Sequence, residues 1–224
     1  MISSKLNRWN LGNKWLKFKN RKKPTEEIFT EIYQKRLWGN YESRSGRGSD
    51  LIHTEKIRKG LPKLLNELEV TSILDIPCGD YYWLKEINLD SISYTGADIV
   101  NEMIVYNQEN YSKKNREFIK LDIRNESLPK VDLILCRDLF LHLSIDDIFK
   151  SIKNIKKSKS KYLLITSNKA TFKHSDISSG GVRPVNLLNP PFNFPHPKRI
   201  IDDSNIDNSN KQLLLFSIDN LPNL

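Results

Sequence analysis

Apolar positions recur along this chain with two different spacings. After Pro24 and Thr25, residues Ile28, Ile32, Tyr33 and Leu37 recur one or four apart, as on one face of a helix, with Glu26 and Glu27 where the positive end of a helix dipole favours carboxylates. This predicts a helix that opens at Pro24 and ends before Trp38. The stretch 38–50 (WGNYESRSGRGSD) is too polar and glycine-rich for regular structure. A second helical pattern follows from Asp50 through Leu51, Ile57, Leu61, Leu64, Leu65 and Leu68, bent or interrupted at Pro62. From Ser72 the pattern changes to short apolar runs: 72–76, 92–98, 117–122, 131–136 and 161–167 predict strands. Helical stretches through Trp83, Leu84 and Ile87, over 101–111 and over 145–157 lie between them. A short strand near 199–201 and a last apolar run, 213–218, follow a Pro-rich loop. Strands that alternate with helices in this order predict an α/β, Rossmann-like, doubly wound and mostly parallel sheet, preceded by N-terminal helices.

A length of 224 residues suits one domain. The expected organisation is a segment 1–23 followed by a single domain 24–224, with its core over 70–167, a loop segment 168–201 and a terminal strand region 211–218. A mean hydropathy of −0.54 and the lack of any apolar run of about 18 residues exclude a membrane-spanning helix. Cys78 and Cys136 show no CxxC spacing and read as ordinary buried thiols. With no apolar secretory leader at the start, a cytoplasmic protein is expected. The net charge of +9 is concentrated at one end. Residues 1–23 carry eight of the 36 basic residues and no acidic one, leaving 28 against 27 in the remainder. Interleaved with Trp9, Leu11, Trp15, Leu16 and Phe18, this segment reads as a solvated or self-packed arm, or as a peripheral contact with an anionic membrane or an enzyme complex. Nucleic acid is not the expected partner, because the body of the chain is nearly neutral.

In an open parallel sheet, ligands bind beyond the carboxyl ends of the strands. Those exits are polar here: Asp75-Ile76-Pro77-Cys78-Gly79-Asp80, Asp98, Asp122, and Cys136-Arg137-Asp138. Asp98, 23 positions after Asp75, is placed to accept hydrogen bonds from a ribose diol. A dinucleotide pyrophosphate needs a GxGxxG turn at a helix N-terminus. This turn holds one glycine, Gly79, beside Asp80, whose carboxylate would repel phosphate at a helix start, and no GxxxxGK[ST] occurs elsewhere. A phosphate-free adenosine donor bearing a sulfonium fits better, which points to S-adenosyl-L-methionine.

Four segments carry a family resemblance: SILDIPCGDYYWL, YTGADIV, FIKLDI and DLILCRDLFLHLS, within 72–167. Their order and spacing resemble the class I S-adenosylmethionine-dependent methyltransferases. The flanks WGNYESRSGRGS and GVRPVNLLNPPFNFPHP resemble a branch of small bacterial-type members associated with surface-glycan genes. Pro77 and Tyr81 stand where the family's first motif has glycine. The resemblance implies that Asp75, Pro77, Cys78 and Gly79 line the methionine part of the donor, Asp98 and Ile99 the ribose and adenine, and Asp122 and Ile123 the adenine edge. Cys136 and Arg137 would close the methyl side. For Asp75, Asp98 and Asp122 the alternative is capping of a turn.

Methyl transfer to an alcohol is an in-line displacement that needs a base. CRDLFLHLS offers His142 as that base and Asp138, four residues earlier, as its orienter or as a substrate ligand; the alternative for His142 is a structural role. Trp38, Tyr41, Glu42, Ser45 and Arg47, together with Arg183, Asn186, Phe192 and Phe194, combine aromatic faces with polar groups as a sugar-binding surface would. Glycine pairs 46/48 and 180/181 would let both loops close. His53, His174 and His196 are too scattered for a metal site. The segment Asn189-Pro190-Pro191-Phe192 is similar to the NPP[YF] box of amino-methyltransferases, but lies more than 50 residues beyond the fourth strand. The expected activity is O-methylation of a sugar or glycan hydroxyl. The alternatives are N-methylation of a nucleic-acid or protein nitrogen, and a non-catalytic cofactor-binding scaffold.

Overall fold

A computed structural model describes residues 23–38, 41–170, 174–205, 207 and 210–223. The basic segment singled out above therefore lies outside the described residues, apart from Lys23, whose ammonium pairs with Glu31 at 2.8 Å.

Seven strands form one sheet: β1 (Ser72–Asp75), β2 (Ser93–Asp98), β3 (Arg116–Lys120), β4 (Leu133–Cys136), β5 (Tyr162–Asn168), β6 (Arg199–Asp202) and β7 (Lys211–Ser217). Their order is 3-2-1-4-5-7-6. Neighbours among β1 to β5 pair in parallel, and β7 runs antiparallel between β5 and β6. The chain order reverses between β1 and β4, so a crevice opens beyond their carboxyl ends. Both faces are buried, and the period-2 alternation of strand side chains divides the core in two. Ile134 and Cys136 of β4 pack on one face, and Leu133 and Leu135 on the other.

Helices α1 (Thr25–Gln34), α2 (Glu55–Glu67), α3 (Asn101–Tyr111) and α4 (Ile145–Lys157) flank the sheet. α4 occupies the span its sequence predicts. The Ser144 hydroxyl accepts from the Asp147 N–H at 3.1 Å, Asp146 and Asp147 lie in the first turn, and Lys156 and Lys157 lie in the last. None of the helices among the described residues is long and apolar enough to cross a membrane.

Four local expectations need correction. No helix forms through Trp83, Leu84 and Ile87, where a single 3-10 turn covers Leu84–Glu86. Tyr81 takes a left-handed φ of 56° and buries its ring against Tyr94, Tyr111 and Phe118, so this segment is held by side chains plugged into the core rather than by a helical ladder. No helix starts at Asp80, so its carboxylate does not sit at a helix N-terminus from which it would repel a phosphate. α2 begins at Glu55 rather than Asp50 and runs through Pro62. Leu37 is 53% exposed, because the chain leaves the helix at Gln34.

Candidate functional site

One cavity of about 540 Å³ lies at the carboxyl edge of the sheet. It brings together Asp75, Pro77, Cys78, Gly79, Asp98, Ile99, Asp122, Ile123, Arg137, Asp138, His142, Trp38 and Ser45. Thr25, Phe29 and Tyr33, spaced four apart on one face of α1, roof it.

The turn after β1 is fixed from three sides. Gly79 takes φ 56°, and a Cβ there would lie 2.3 Å from the Ser45 hydroxyl, so glycine is required both by the backbone conformation and by the close approach of the 43–45 loop. Asp80 anchors that loop. Its carboxylate accepts from the Ser43 hydroxyl at 3.0 Å, the Ser45 hydroxyl at 3.1 Å and the Arg44 N–H at 2.7 Å. From α3, the Asn107 amide donates to the Gly79 carbonyl at 2.7 Å.

Two buried carboxylates face the cavity beside this turn. Asp98 accepts from the Val100 N–H at 3.0 Å and the Gly79 N–H at 3.3 Å, and burial still pushes its carboxyl up to about 6. Asp75 accepts from the Tyr94 hydroxyl at 2.7 Å, and burial pushes it up to about 7. Such groups favour a cationic, hydroxyl-bearing ligand over a phosphate, because a bound cation recovers the free energy that burial takes from the ionised carboxylates. The cavity thus fits a donor with a sulfonium, an ammonium and a ribose diol. At its far wall Arg124 forks onto Asp122 at 2.9 and 2.6 Å and reaches Thr25 at 2.6 Å, beside the apolar Leu121, Ile123 and Ile99. Asp122 therefore enters the cavity as one half of an ion pair.

Across the cavity, His142 sits in a 3-10 turn, Phe140–His142. Its Nδ1 lies 2.8 Å from the Gly181 carbonyl, which can only accept, so Nδ1 carries the proton and Nε2 is the basic nitrogen. Burial holds the imidazole below its ordinary 6.5. Its ring stacks on Trp38 with centroids 4.5 Å apart at 24°. Asp138 does not orient it. The short turn breaks the helical i, i+4 relation that pairing required, and Asp138, at φ 58°, binds the Lys211 ammonium at 2.7 Å and the Arg137 guanidinium at 3.3 Å. Burial raises the Asp138 carboxyl, but these two cations prevail and hold it well below the usual carboxylate range.

Lys211 and Asp203 complete a buried network of two cations and two carboxylates. Arg137 chelates Asp203 at 3.0 and 3.2 Å and donates to the Gly48 carbonyl at 2.9 Å, and Lys211 reaches Asp203 at 3.1 Å. The network ties the β4 exit, the β6–β7 connection and the N-terminal loop together. Lys211, Asp203, Asn107, Arg124 and the Gly181 carbonyl were not anticipated, since no local motif links positions so far apart in sequence.

Seven expected site residues lie off the cavity wall, among them Phe194, which is buried against Phe216, and Phe192. Cys136 is buried in the core and, like Cys78, is a free thiol. Tyr41 is fully exposed, and Glu42 accepts from the Leu51 N–H at 3.4 Å. Arg183 is buried and donates to the Leu143 carbonyl at 2.5 Å, while Asn186 braces its own loop through the Ala170 carbonyl at 3.1 Å and the Leu188 N–H at 2.9 Å. The described part of the loop carrying Gly180 and Gly181 is stitched to the His142 turn. The Gly180 N–H donates to the His142 carbonyl at 2.8 Å, and Arg183 N–H to the Leu141 carbonyl at 3.0 Å. This loop scaffolds the imidazole. Phe192 of the box-like segment is fully buried against Phe149 and His174, away from the cavity. Among the described residues no group of three His, Cys, Asp or Glu is arranged to hold a metal ion.

Residues 73–159 match the family model described as a methyltransferase domain. No curated protein matches the chain in sequence. Among solved structures, magnesium protoporphyrin IX methyltransferase from Synechocystis PCC 6803 with bound SAH is similar at TM-score 0.59 and 13% identity, over 86% of this chain and 98% of that one. Human N-acetylserotonin methyltransferase in complex with SAM is similar at TM-score 0.61 and 14% identity, over 87% of this chain and 59% of that one. The N-methyltransferase NodS from Bradyrhizobium japonicum WM9 gives 0.58 and 16%, over 75% and 98%. At these identities the likeness is one of fold.

Proposed function

We propose that this chain, an S-adenosylmethionine-dependent methyltransferase with the class I fold, methylates a hydroxyl of a sugar or glycan, with His142 as the base. The observation that carries this reading is the tautomer of His142. With Nδ1–H committed to the Gly181 carbonyl and the ring neutral at pH 7, Nε2 offers a lone pair on a residue that lines the cavity.

When bound, the donor supplies a methyl group made electrophilic by its sulfonium. Asp98 grips the ribose diol, and Asp75 with the Gly79 turn faces the amino-acid part. His142 Nε2 would take the proton from the acceptor hydroxyl as that oxygen attacks, the donor supplying the methyl group and leaving as a neutral thioether. The imidazolium then returns its proton to water. Trp38 keeps the ring in one orientation and covers it from solvent.

Three features favour an oxygen acceptor. The Asn189-Pro190-Pro191-Phe192 segment supplies no amide- or base-binding box to the cavity wall, since Phe192 is buried elsewhere. The acceptor end combines Ser49, Asn205, Asp207 and Lys211 with the Trp38 ring, a mixture suited to hydroxyl-rich ligands. An alcohol acceptor must lose its proton as it attacks, and His142, neutral at pH 7, is available to take it. The solved neighbours bear the names of chemically unlike acceptors, so the fold by itself does not choose one. The test is incubation with methyl-labelled donor and a panel of bacterial-type glycans, read by mass spectrometry. The expected product is a glycan heavier by one labelled methyl on oxygen; label on nitrogen of a nucleic acid or protein, with glycans unmodified, would overturn the assignment.

A further inference from the structure

Among the described residues, five side chains with a permanent positive charge line the cavity: Arg44, Arg47, Arg124, Arg137 and Lys211. Four have carboxylate partners. Arg47 pairs with Asp207 at 3.0 Å, Arg124 with Asp122 and Asp147, and Arg137 and Lys211 share Asp138 and Asp203. Arg44 differs. Its Nη1 donates to the Tyr33 hydroxyl at 2.9 Å and its guanidinium carbon lies 5.4 Å from the centre of that ring, and no described carboxylate reaches it.

The position of Arg44 is fixed at both ends. Its own N–H is held by Asp80 at 2.7 Å, next to the Gly79 turn, and Tyr33 holds its tip. Tyr33 also sets its place along the cavity. Thr25, touched by Arg124, and Tyr33, touched by Arg44, are eight residues apart on α1, about 12 Å along a helix axis. One end of the roof thus meets the apolar slot of Leu121, Ile123 and Ile99, suited to a base; the other meets Arg44, a guanidinium without a carboxylate partner, on the loop that Asp80 holds. The donor is likewise asymmetric, with a nucleoside at one end and an amino acid at the other. Its ammonium and sulfonium suit the buried Asp75 carboxylate, and its single negative group is a carboxylate.

We infer that Arg44 is the carboxylate clamp for the amino-acid end of the donor, presented by the loop that Asp80 pins over the Gly79 turn. The inference rests on the donor reading of the cavity. A guanidinium offers two parallel N–H groups to a carboxylate, and Tyr33 pre-orients them, so little side-chain entropy is lost on binding. An ammonium at the same place would supply charge without the fork.

The test is calorimetric titration of the wild type and of Arg44→Met and Arg44→Lys with S-adenosylmethionine and with its decarboxylated analogue, which keeps both cationic centres. The wild type should bind the carboxylate-bearing donor more tightly. Arg44→Met should weaken it about 10- to 100-fold, leave the decarboxylated analogue within about twofold, which also shows that the fold is intact, and Arg44→Lys should restore part of the loss. Equal losses for both ligands, or no loss for either, would overturn the clamp while leaving the donor site standing. So would an unchanged donor affinity with a raised KM for the acceptor. If the wild type binds neither ligand, the donor reading fails and the clamp falls with it.

Discussion

The imidazole of His142 and the indole of Trp38 lie face to face, 4.5 Å between centroids and 24° from parallel, although 104 positions separate them in the chain. Trp38 is itself wedged edge-on against Phe29 at 6.0 Å and closely approached by Gly46. A base exposed to a water-filled cleft samples many orientations; one stacked on a fixed indole and hydrogen-bonded to the Gly181 carbonyl has one. Trp38→Ala should therefore lower kcat about 10-fold with a smaller effect on donor affinity, read from steady-state kinetics and calorimetry side by side.

The pH dependence of the rate follows from the same ring. As the proposed base, His142 acts in its neutral form, and burial lowers its pKa below 6.5, so kcat at saturating donor should hold as pH falls to 6.5 and drop only below it. An acid limb above 6.5 in a pH profile of kcat would contradict the assignment.

Asp98 holds two backbone N–H groups, and in the proposed complex it also takes the ribose diol. Asp98→Ala should weaken donor binding by at least about 10-fold, since hydrogen bonds to a charged group contribute roughly 1.5–3 kcal/mol. Because Asp98 titrates near 6 and Asp75 near 7, donor affinity should also fall as pH is lowered through that range.

Asp75 also affects stability, and the sign is opposite to that of an ion-paired carboxylate. Its folded-state pKa of about 7 lies above the ordinary 3.8, so the folded protein binds the proton more tightly than the unfolded chain, and this contribution to stability is lost as pH rises towards 7. Asp75→Asn, which can still accept from Tyr94, should raise the Tm of the ligand-free protein at pH 8, by a smaller amount at pH 5, and not at all below the ordinary carboxylate range. Thermal denaturation at the two pH values reads this directly, and weaker donor binding at pH 8 should accompany the gain.

Asp80 fastens the 43–45 loop. Asp80→Ala should free the loop, so limited trypsin digestion should cut at Arg44 or Arg47 faster than in the wild type, with donor protection reduced. Unchanged cleavage rates would mean that the loop is held by other contacts.

The fold was legible wherever one local signal decided it. α4 has its Ser144 cap, paired end charges and a single apolar face, and its bounds agree with the pattern. The strand exits carry their aspartates in sequence, and the turn residues Asp75 to Asp80 and Asp98 meet in one cavity. Legibility failed where tertiary packing overrode local pattern. Trp83, Leu84 and Ile87 have helical spacing, yet the buried ring of Tyr81 and its left-handed backbone hold that stretch in an irregular path. Asp138 and His142 have the right separation for a pair, but it is Lys211, 73 positions from Asp138, that takes the carboxylate. Arg183 and Asn186 look like polar loop residues, yet they brace backbone carbonyls. Which polar side chain faces the ligand depends on such long-range partners, and one strand of sequence does not carry them.

The account turns on His142 acting as base towards a hydroxyl on donor held at Asp98. The most direct measurement is single-turnover transfer from enzyme preloaded with methyl-labelled donor to a glycan acceptor, comparing wild type with His142→Gln. The account predicts an O-methylated product from the wild type, an unchanged donor Kd for the variant, and a transfer rate lower by about 100-fold or more. A variant that transfers the methyl group as fast as the wild type would contradict it.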